Sequence, residues 1–338
     1  MSSAPEGRAL PEGLAARAAA LAAAPVAALA AVPGGRNNRL YRLDLADGRR
    51  FALKCYLSAA GDRRDRLGVE FAALDLLRRH GVARMPAAIA ADAEAGLALY
   101  EWIEGTAPGA PGAADIDAAL ATAGELAALA RRLPETAAGE ASEACRSETA
   151  LLGQIERRRA RLAAIADPPA ALSEILAAPC FEALAARARR IAAPPGPATL
   201  SPSDFGFHNA IRRADGRLVF IDFEYFGWDD PVKLTADFVL HPGMALPVEL
   251  ARRFEGGALA LFAGDPGFAR RLAAQLPLFA LRWTLIVLNE FLPEVWARRV
   301  FAGARDRAAI LEGQVEKARA LLRRATLEAE RLDSSPWS

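Results

Sequence analysis

The 338-residue chain is poor in cysteine, with only Cys55, Cys145 and Cys180. They are odd in number and far apart, which argues against a disulfide framework or a zinc site and fits a reducing cytoplasm. A surplus of one charge is also missing. The 42 Lys and Arg against 41 Asp and Glu leave a net charge of +1, so no basic field points to nucleic acid or an anionic membrane. Long apolar runs are scarce. The nearest, Leu14 to Val32, owes its apolarity almost wholly to alanine, is interrupted by Arg17, and follows Glu6 and Glu12. A secretory core is more strongly apolar, and a membrane span needs about 20 apolar residues. The segment is therefore expected to be an amphipathic helix, and the chain cytoplasmic with no membrane partner. No repeat of fixed period and no low-complexity tail occurs. What is present is 53% hydrophobic and 25% charged residues, the balance of a folded protein large enough for two lobes.

After the break at Pro33-Gly34-Gly35, Tyr41, Leu43 and Leu45 alternate with charged residues, which predicts a half-buried strand. Asp47-Gly48 supplies turn chemistry and Phe51 to Tyr56 reads as the returning strand. From about Asp62 to His80 the period becomes helical and stops at Gly81. Further strands are expected near Ile89 and over Leu97 to Ile103. Thr106 to Gly112 is a turn or short linker. Beyond it the pattern is helical from Asp115 to about Ala193, with breaks at Pro134, Pro168-Pro169 and Pro179. A strand-rich block spans Leu200 to Phe223, and helices resume from Lys233, ending in a charged amphipathic one over Arg305 to Leu332. This divides the chain into a helical extension (1–32), a small antiparallel-sheet lobe (33–104) and a large mainly helical lobe (105–338), an α+β architecture.

Two groups of residues carry chemistry. Ala210 to Arg213 and Arg217 to Ile221 read as strands around Asp215-Gly216, a favoured two-residue hairpin loop. That register sets Asn209 opposite Asp222, with Cβ atoms about 4.5–5.5 Å apart on one face. An amide oxygen and a carboxylate so placed suit a shared Mg²⁺. In the first lobe, Leu67, Glu70, Leu74 and Leu77 share one helical stripe. Glu70 is thus a carboxylate on an apolar face, costly unless paired. Lys54, on the strand face opposite Phe51, Leu53 and Cys55, is its natural partner. By itself Lys54 also fits an exposed strand lysine, and Glu70 a solvated helix edge.

Asp204 precedes Asn209 by five residues, and the apolar hairpin then leads into Ile221-Asp222-Phe223-Glu224. This Asp-x4-Asn, hairpin and Ile-Asp-Phe-Glu succession resembles the aminoglycoside phosphotransferase and choline kinase superfamily. The resemblance implies a two-lobed protein-kinase-like fold and phosphoryl transfer from ATP·Mg²⁺ to a hydroxyl of a small metabolite. Asp204 would then be the catalytic base, Asn209 and Asp222 the Mg²⁺ ligands, and Glu224 an organiser of metal or water. The strand lysine and helix glutamate look like the kinase ion pair that holds the α- and β-phosphates. Gly34 and Gly35 stand where a phosphate-covering loop belongs, although a plain turn also fits. Glu101, Trp102 and Ile103 resemble the hinge that meets adenine through its main chain. Asp204-Phe205-Gly206 spells a protein-kinase triplet by coincidence, because the metal Asp should follow the hairpin. The short path from Asp222 to Asp230-Pro231, with no His-Arg-Asp or Ala-Pro-Glu, leaves no room for a protein kinase's activation segment. Tyr225, Trp228, Trp283 and Trp296 fit a core at least as well as a cation pocket.

The resemblance runs from Pro33 to Asp237 and has departures. Pro202 and Ser203 replace the histidine and glycine usual before the catalytic Asp. Leu234 stands where an Asp is usual, and Asp237 one turn later is placed to brace the loop instead. These departures keep a second reading open, a non-catalytic nucleotide-binding or regulatory pseudokinase. Among enzymes, choline or ethanolamine kinases and aminoglycoside or sugar kinases remain alternatives.

Overall fold

The computed structural model describes residues 13–33, 38–56, 64–191, 193–301 and 306–334. In chain order the elements are α1 (Leu14–Ala22), β1 (Val26–Val32), β2 (Asn38–Leu45), β3 (Arg50–Tyr56), α2 (Arg66–Arg79), β4 (Ala88–Asp92), β5 (Leu97–Glu101), α3 (Ala113–Ala130), α4 (Glu148–Ala163), α5 (Ala170–Leu176), α6 (Cys180–Ile191), β6 (Thr199–Ser201), β7 (Ala210–Arg212), β8 (Leu218–Phe220), β9 (Gly227–Asp229), α7 (Pro231–Leu240), α8 (Val248–Leu261), α9 (Phe268–Val287), α10 (Pro293–Phe301) and α11 (Arg307–Asp333). They form two compact units, residues 1–108 with 209–225, and residues 109–208 with 226–338.

The first unit is a five-stranded antiparallel sheet in the order β1-β2-β3-β5-β4. The alternation in β2 buries Tyr41, Leu43 and Leu45, which meet Leu53, Leu97 and Leu99 from the sheet and Leu14, Ala18 and Ala22 from α1. The expected helix over Leu14 to Val32 is helical only to Ala22. Ala23 turns left-handed (φ 51°), and Pro25 cannot continue a helix, because it lacks an N–H and its ring collides with the preceding turn. Val26–Val32 is therefore the edge strand on β2, pairing Leu29 with Leu43 and Val32 with Leu40, and no helical extension reaches residue 32. Helix α2 is capped by Asp65, whose Oδ1 accepts from Gly68 N at 2.8 Å, and stops at Gly81 (φ 79°).

The β7–β8 hairpin, expected in the second lobe by chain order, belongs to the first unit. Arg212 and Thr106 exchange main-chain hydrogen bonds (2.7 and 3.0 Å), and Phe220 N donates to Arg84 O (2.9 Å). Gly105 permits this contact, since a Cβ there would lie 2.2 Å from Arg212 O. Gly105→Ala is expected to lower stability by about 1–3 kcal/mol through forced backbone movement. Chemical denaturation checks this; an unchanged midpoint would show the strap to be dispensable.

The second unit is built round α9, which packs on α11, α7, α4 and α6. The prolines behave as read, with α5 beginning after Pro169 and α6 after Pro179. Every residue of α7 is buried, and β6 pairs antiparallel with β9. The stretch Phe268–Phe291 has the length and mean apolarity to cross a membrane, yet 83% of its apolar window is buried within the protein, as in a core helix.

Candidate functional site

Lys54 is the centre of the first unit's charged cluster. Its Nζ lies 2.6 Å from Glu70 Oε2, 2.7 Å from Asp222 Oδ1 and 3.6 Å from Glu224 Oε2. Strand β3 carries Lys54 on the face away from Leu53, and α2 brings Glu70 across, so the pairing expected from the two sequence patterns is formed. Glu70 is fixed on every side: Tyr56 Oη donates to Oε2 at 2.5 Å and Phe223 N to Oε1 at 3.3 Å. Tyr56 Oη also meets Tyr100 Oη at 2.6 Å. Asn38 Nδ2 donates to Glu224 Oε2.

Burial opposes the charge on Lys54, but Glu70, Asp222 and Glu224 outweigh it and hold its pKa above the ordinary lysine value. It stays an ammonium. Burial, together with the carboxylates of Glu70 and Glu224, pushes the Asp222 carboxyl up to about 6 against the pull of Lys54. Ligand oxygens of Glu70, Asp222 and Glu224 all lie within 4.8 Å of one another. An all-oxygen carboxylate set fits a hard divalent cation such as Mg²⁺.

The hairpin register differs from the expectation by one residue. Ala210 pairs with Phe220, Ile211 with Val219 and Arg212 with Leu218. The loop has three residues, Ala214-Asp215-Gly216. Arg213 N bonds Arg217 O, Gly216 N bonds Arg213 O (each 2.9 Å), and Gly216 takes φ 83°. Asn209 consequently faces Ile221, whose N donates to Asn209 O at 2.9 Å, rather than Asp222. Asp222 itself adopts φ 67°, a left-handed conformation uncommon for non-glycine residues though more open to Asp than to most. That turn, not cross-strand opposition, aims its carboxylate at Lys54.

In the segment expected to meet adenine, Glu101 N donates to Ala87 O at 2.8 Å and Glu101 Oε2 accepts from Ala87 N at 3.2 Å. Ile103 is buried, and Trp102 Nε1 is buried without a partner among the described residues. Gly34 and Gly35 lie outside the described residues.

Asp204 belongs to the second unit. Its Oδ1 lies 3.0 Å from His208 Nε2 and 3.4 Å from His241 Nε2. Burial raises its pKa, but the hydrogen bonds and charge of the two imidazoles outweigh this and hold the carboxyl well below the usual carboxylate range. Neither histidine stood out in the sequence. The available signal was their rarity, three in the chain, and the place of His208 inside the Asp204–Asn209 span.

The loop before Asp204 is braced without the usual histidine. Ser203 takes φ 65°, its N donates to Ser201 Oγ at 3.0 Å and its Oγ donates to Ser142 O at 2.9 Å. Lys233 Nζ donates to Ser203 Oγ at 3.0 Å and pairs with Asp237 at 2.9 Å and Asp229 at 3.1 Å. Asp237 therefore does brace this loop, acting through Lys233.

A family model described as a phosphotransferase enzyme family matches residues 28–271. No curated protein sequence matches significantly. Among solved structures, an ethanolamine kinase of Plasmodium vivax aligns with TM-score 0.59 and 13% identity, over 90% of this chain and 83% of that one. A choline kinase of Streptococcus pneumoniae aligns with TM-score 0.55 and 19% identity, over 88% and 94%. An amicoumacin kinase solved with AMP-PNP, Ca²⁺ and Ami gives TM-score 0.57 and 14% identity, over 92% and 94%.

Proposed function

Because the chain belongs to the phosphotransferase enzyme family and is a small-molecule kinase with a protein-kinase-like fold, we propose that it transfers the γ-phosphate of ATP to a hydroxyl of a small metabolite. The observation that carries this reading is Lys54, ion-paired at once to Glu70 and to Asp222, 168 positions away in the sequence.

In this reading Lys54, held by Glu70, positions the nucleotide phosphates. The main chain of Glu101, Trp102 and Ile103 receives adenine, and Gly34 and Gly35 cover the phosphates. Asn209 and Asp222 hold Mg²⁺, with Glu224 beside them. When bound, that cation neutralises charge on the transferring phosphoryl group. The amicoumacin kinase structure, with its AMP-PNP and Ca²⁺, supports a nucleotide and a divalent cation in such a fold. Asp204 aligns the acceptor hydroxyl and takes its proton. Since the transition state of phosphoryl transfer is loose, alignment contributes more than base strength, which suits a carboxylate whose pKa is held low.

ATP consumption across a panel of hydroxylated metabolites, including choline, ethanolamine, sugars and aminoglycosides, tests the reaction. Tight ATP binding without consumption for any acceptor would favour the non-catalytic nucleotide-binding reading instead. Asp222→Ala is expected to remove the Mg²⁺ dependence of nucleotide binding, measured by calorimetry with and without the cation; retained dependence would refute the metal role. A cation needs the ionised carboxylate. With Asp222 titrating at about 6, Mg²⁺-dependent binding should therefore weaken as pH falls through that value and level off above it.

A further inference from the structure

The two histidines on Asp204 have no role in the reaction as drawn above. His208 follows Asp204 by four residues, and His241 is the first residue after α7. Their rings stack at 3.9 Å with planes 4° apart. His241 also packs on Trp283 in a T-shaped pair, at 4.7 Å and 82°. Trp283 is itself fixed, since its Nε1 donates to Asp237 Oδ1 at 2.9 Å. A continuous series of contacts thus runs from buried α7 through Asp237, Trp283 and His241 to the Asp204 carboxylate.

Asp204, His208 and His241 present ligand atoms within 4.8 Å of one another, and one carboxylate with two imidazoles is chemically suited to a zinc-type cation. The stacking argues against that use. A metal bound by an imidazole nitrogen lies close to the ring plane, and two nearly parallel planes share no such point. Hydrogen bonding to one oxygen tolerates off-plane approach better. The usual donor to this loop is also missing, since Pro202, two residues before Asp204, has no N–H and no polar side chain. The Asp204 side chain is 34% exposed, so packing alone does not select its rotamer.

We propose that His241 is a positioning residue for phosphoryl transfer: held by Trp283 and stacked on His208, it fixes through Oδ1 the Asp204 rotamer that meets the acceptor hydroxyl. The proposal rests on Asp204 being the catalytic base. Misplacing a reacting group by about 1 Å can cost about 10²-fold in rate. Nucleotide binding, assigned here to Lys54, Glu70 and Asp222 of the first unit, should be untouched.

The test compares wild type, His241→Ala and His241→Gln, the last keeping an N–H donor of similar reach. Turnover is followed with the best acceptor from the panel, or as acceptor-free MgATP hydrolysis if no acceptor responds. His241→Ala is expected to lower kcat about 10–100-fold with KM for MgATP unchanged, and His241→Gln to restore most of the loss. An unchanged kcat in His241→Ala, a Gln variant as poor as Ala, or a loss carried by KM for MgATP would overturn the proposal. Crystal structures of the three proteins give an independent readout, valid even if wild type proves inactive and the kinase reading itself fails. Asp204 should keep its place in wild type and His241→Gln and leave it in His241→Ala. An unmoved carboxylate in all three would overturn the proposal.

Discussion

Asp204→Asn is expected to lower turnover by about 10²–10⁴-fold while leaving nucleotide affinity unchanged. The substitution keeps the size and planarity of the side chain, and an Asn oxygen can still accept from His208 and His241. What it removes is the negative charge and the second oxygen able to take a proton from the acceptor. The two imidazoles hold the wild-type carboxyl well below the ordinary range. Asp204 is therefore ionised throughout the range in which the enzyme is handled, and loss of activity on mild acidification should not trace to it. Nucleotide affinity is the control. Lys54, Glu70 and Asp222 make their ion pairs within the first unit, whereas Asp204 belongs to the second. A folded Asp204→Asn protein with normal turnover, or one whose lost activity traces to lost ATP binding, would overturn the assignment.

The parts of the site legible in the sequence were those whose residue type conflicts with its pattern. Glu70 on an apolar helical stripe demanded a cation, and Lys54 supplied it at 2.6 Å. The hairpin was legible as a hairpin but not in register, because Asp215-Gly216 serves a two-residue and a three-residue loop equally well. One residue decides which side chain faces Asn209. The left-handed turn that rescues Asp222 leaves no mark on composition. The strand Val26–Val32 was hidden for another reason. Alanine dominates residues 14–32 and favours helix locally, while Pro25 and pairing with β2 decide the outcome. His208 and His241 are 33 positions apart, and only the fold stacks them.

The brace on the loop before Asp204 leads to the second large expected effect: Lys233→Met should destabilise the protein by about 3–5 kcal/mol. Lys233 is 1% exposed, Asp229 is 0% and Asp237 is 4%. Burial opposes the lysine's charge, but Asp229 and Asp237 outweigh it and hold its pKa above the ordinary value. Methionine fills the same stem volume without the ammonium, so packing is nearly conserved and the loss is electrostatic. Asp237 retains Arg282 at 3.2 Å and Trp283 Nε1 at 2.9 Å. Among the described residues, Asp229 retains the main-chain donors of Cys145 and Asp230, both on Oδ1. The cost should therefore fall mainly on Asp229, and adding Asp229→Asn to Lys233→Met should recover part of it. Urea midpoints of the single and double variants check both statements. A single-variant loss below about 1 kcal/mol, typical of an exposed pair, would show that the network is not the brace. Lys233 also holds Ser203 in its left-handed conformation one residue before Asp204. The folded fraction of Lys233→Met should consequently lose turnover as well, which a purely remote stabilising pair would not produce.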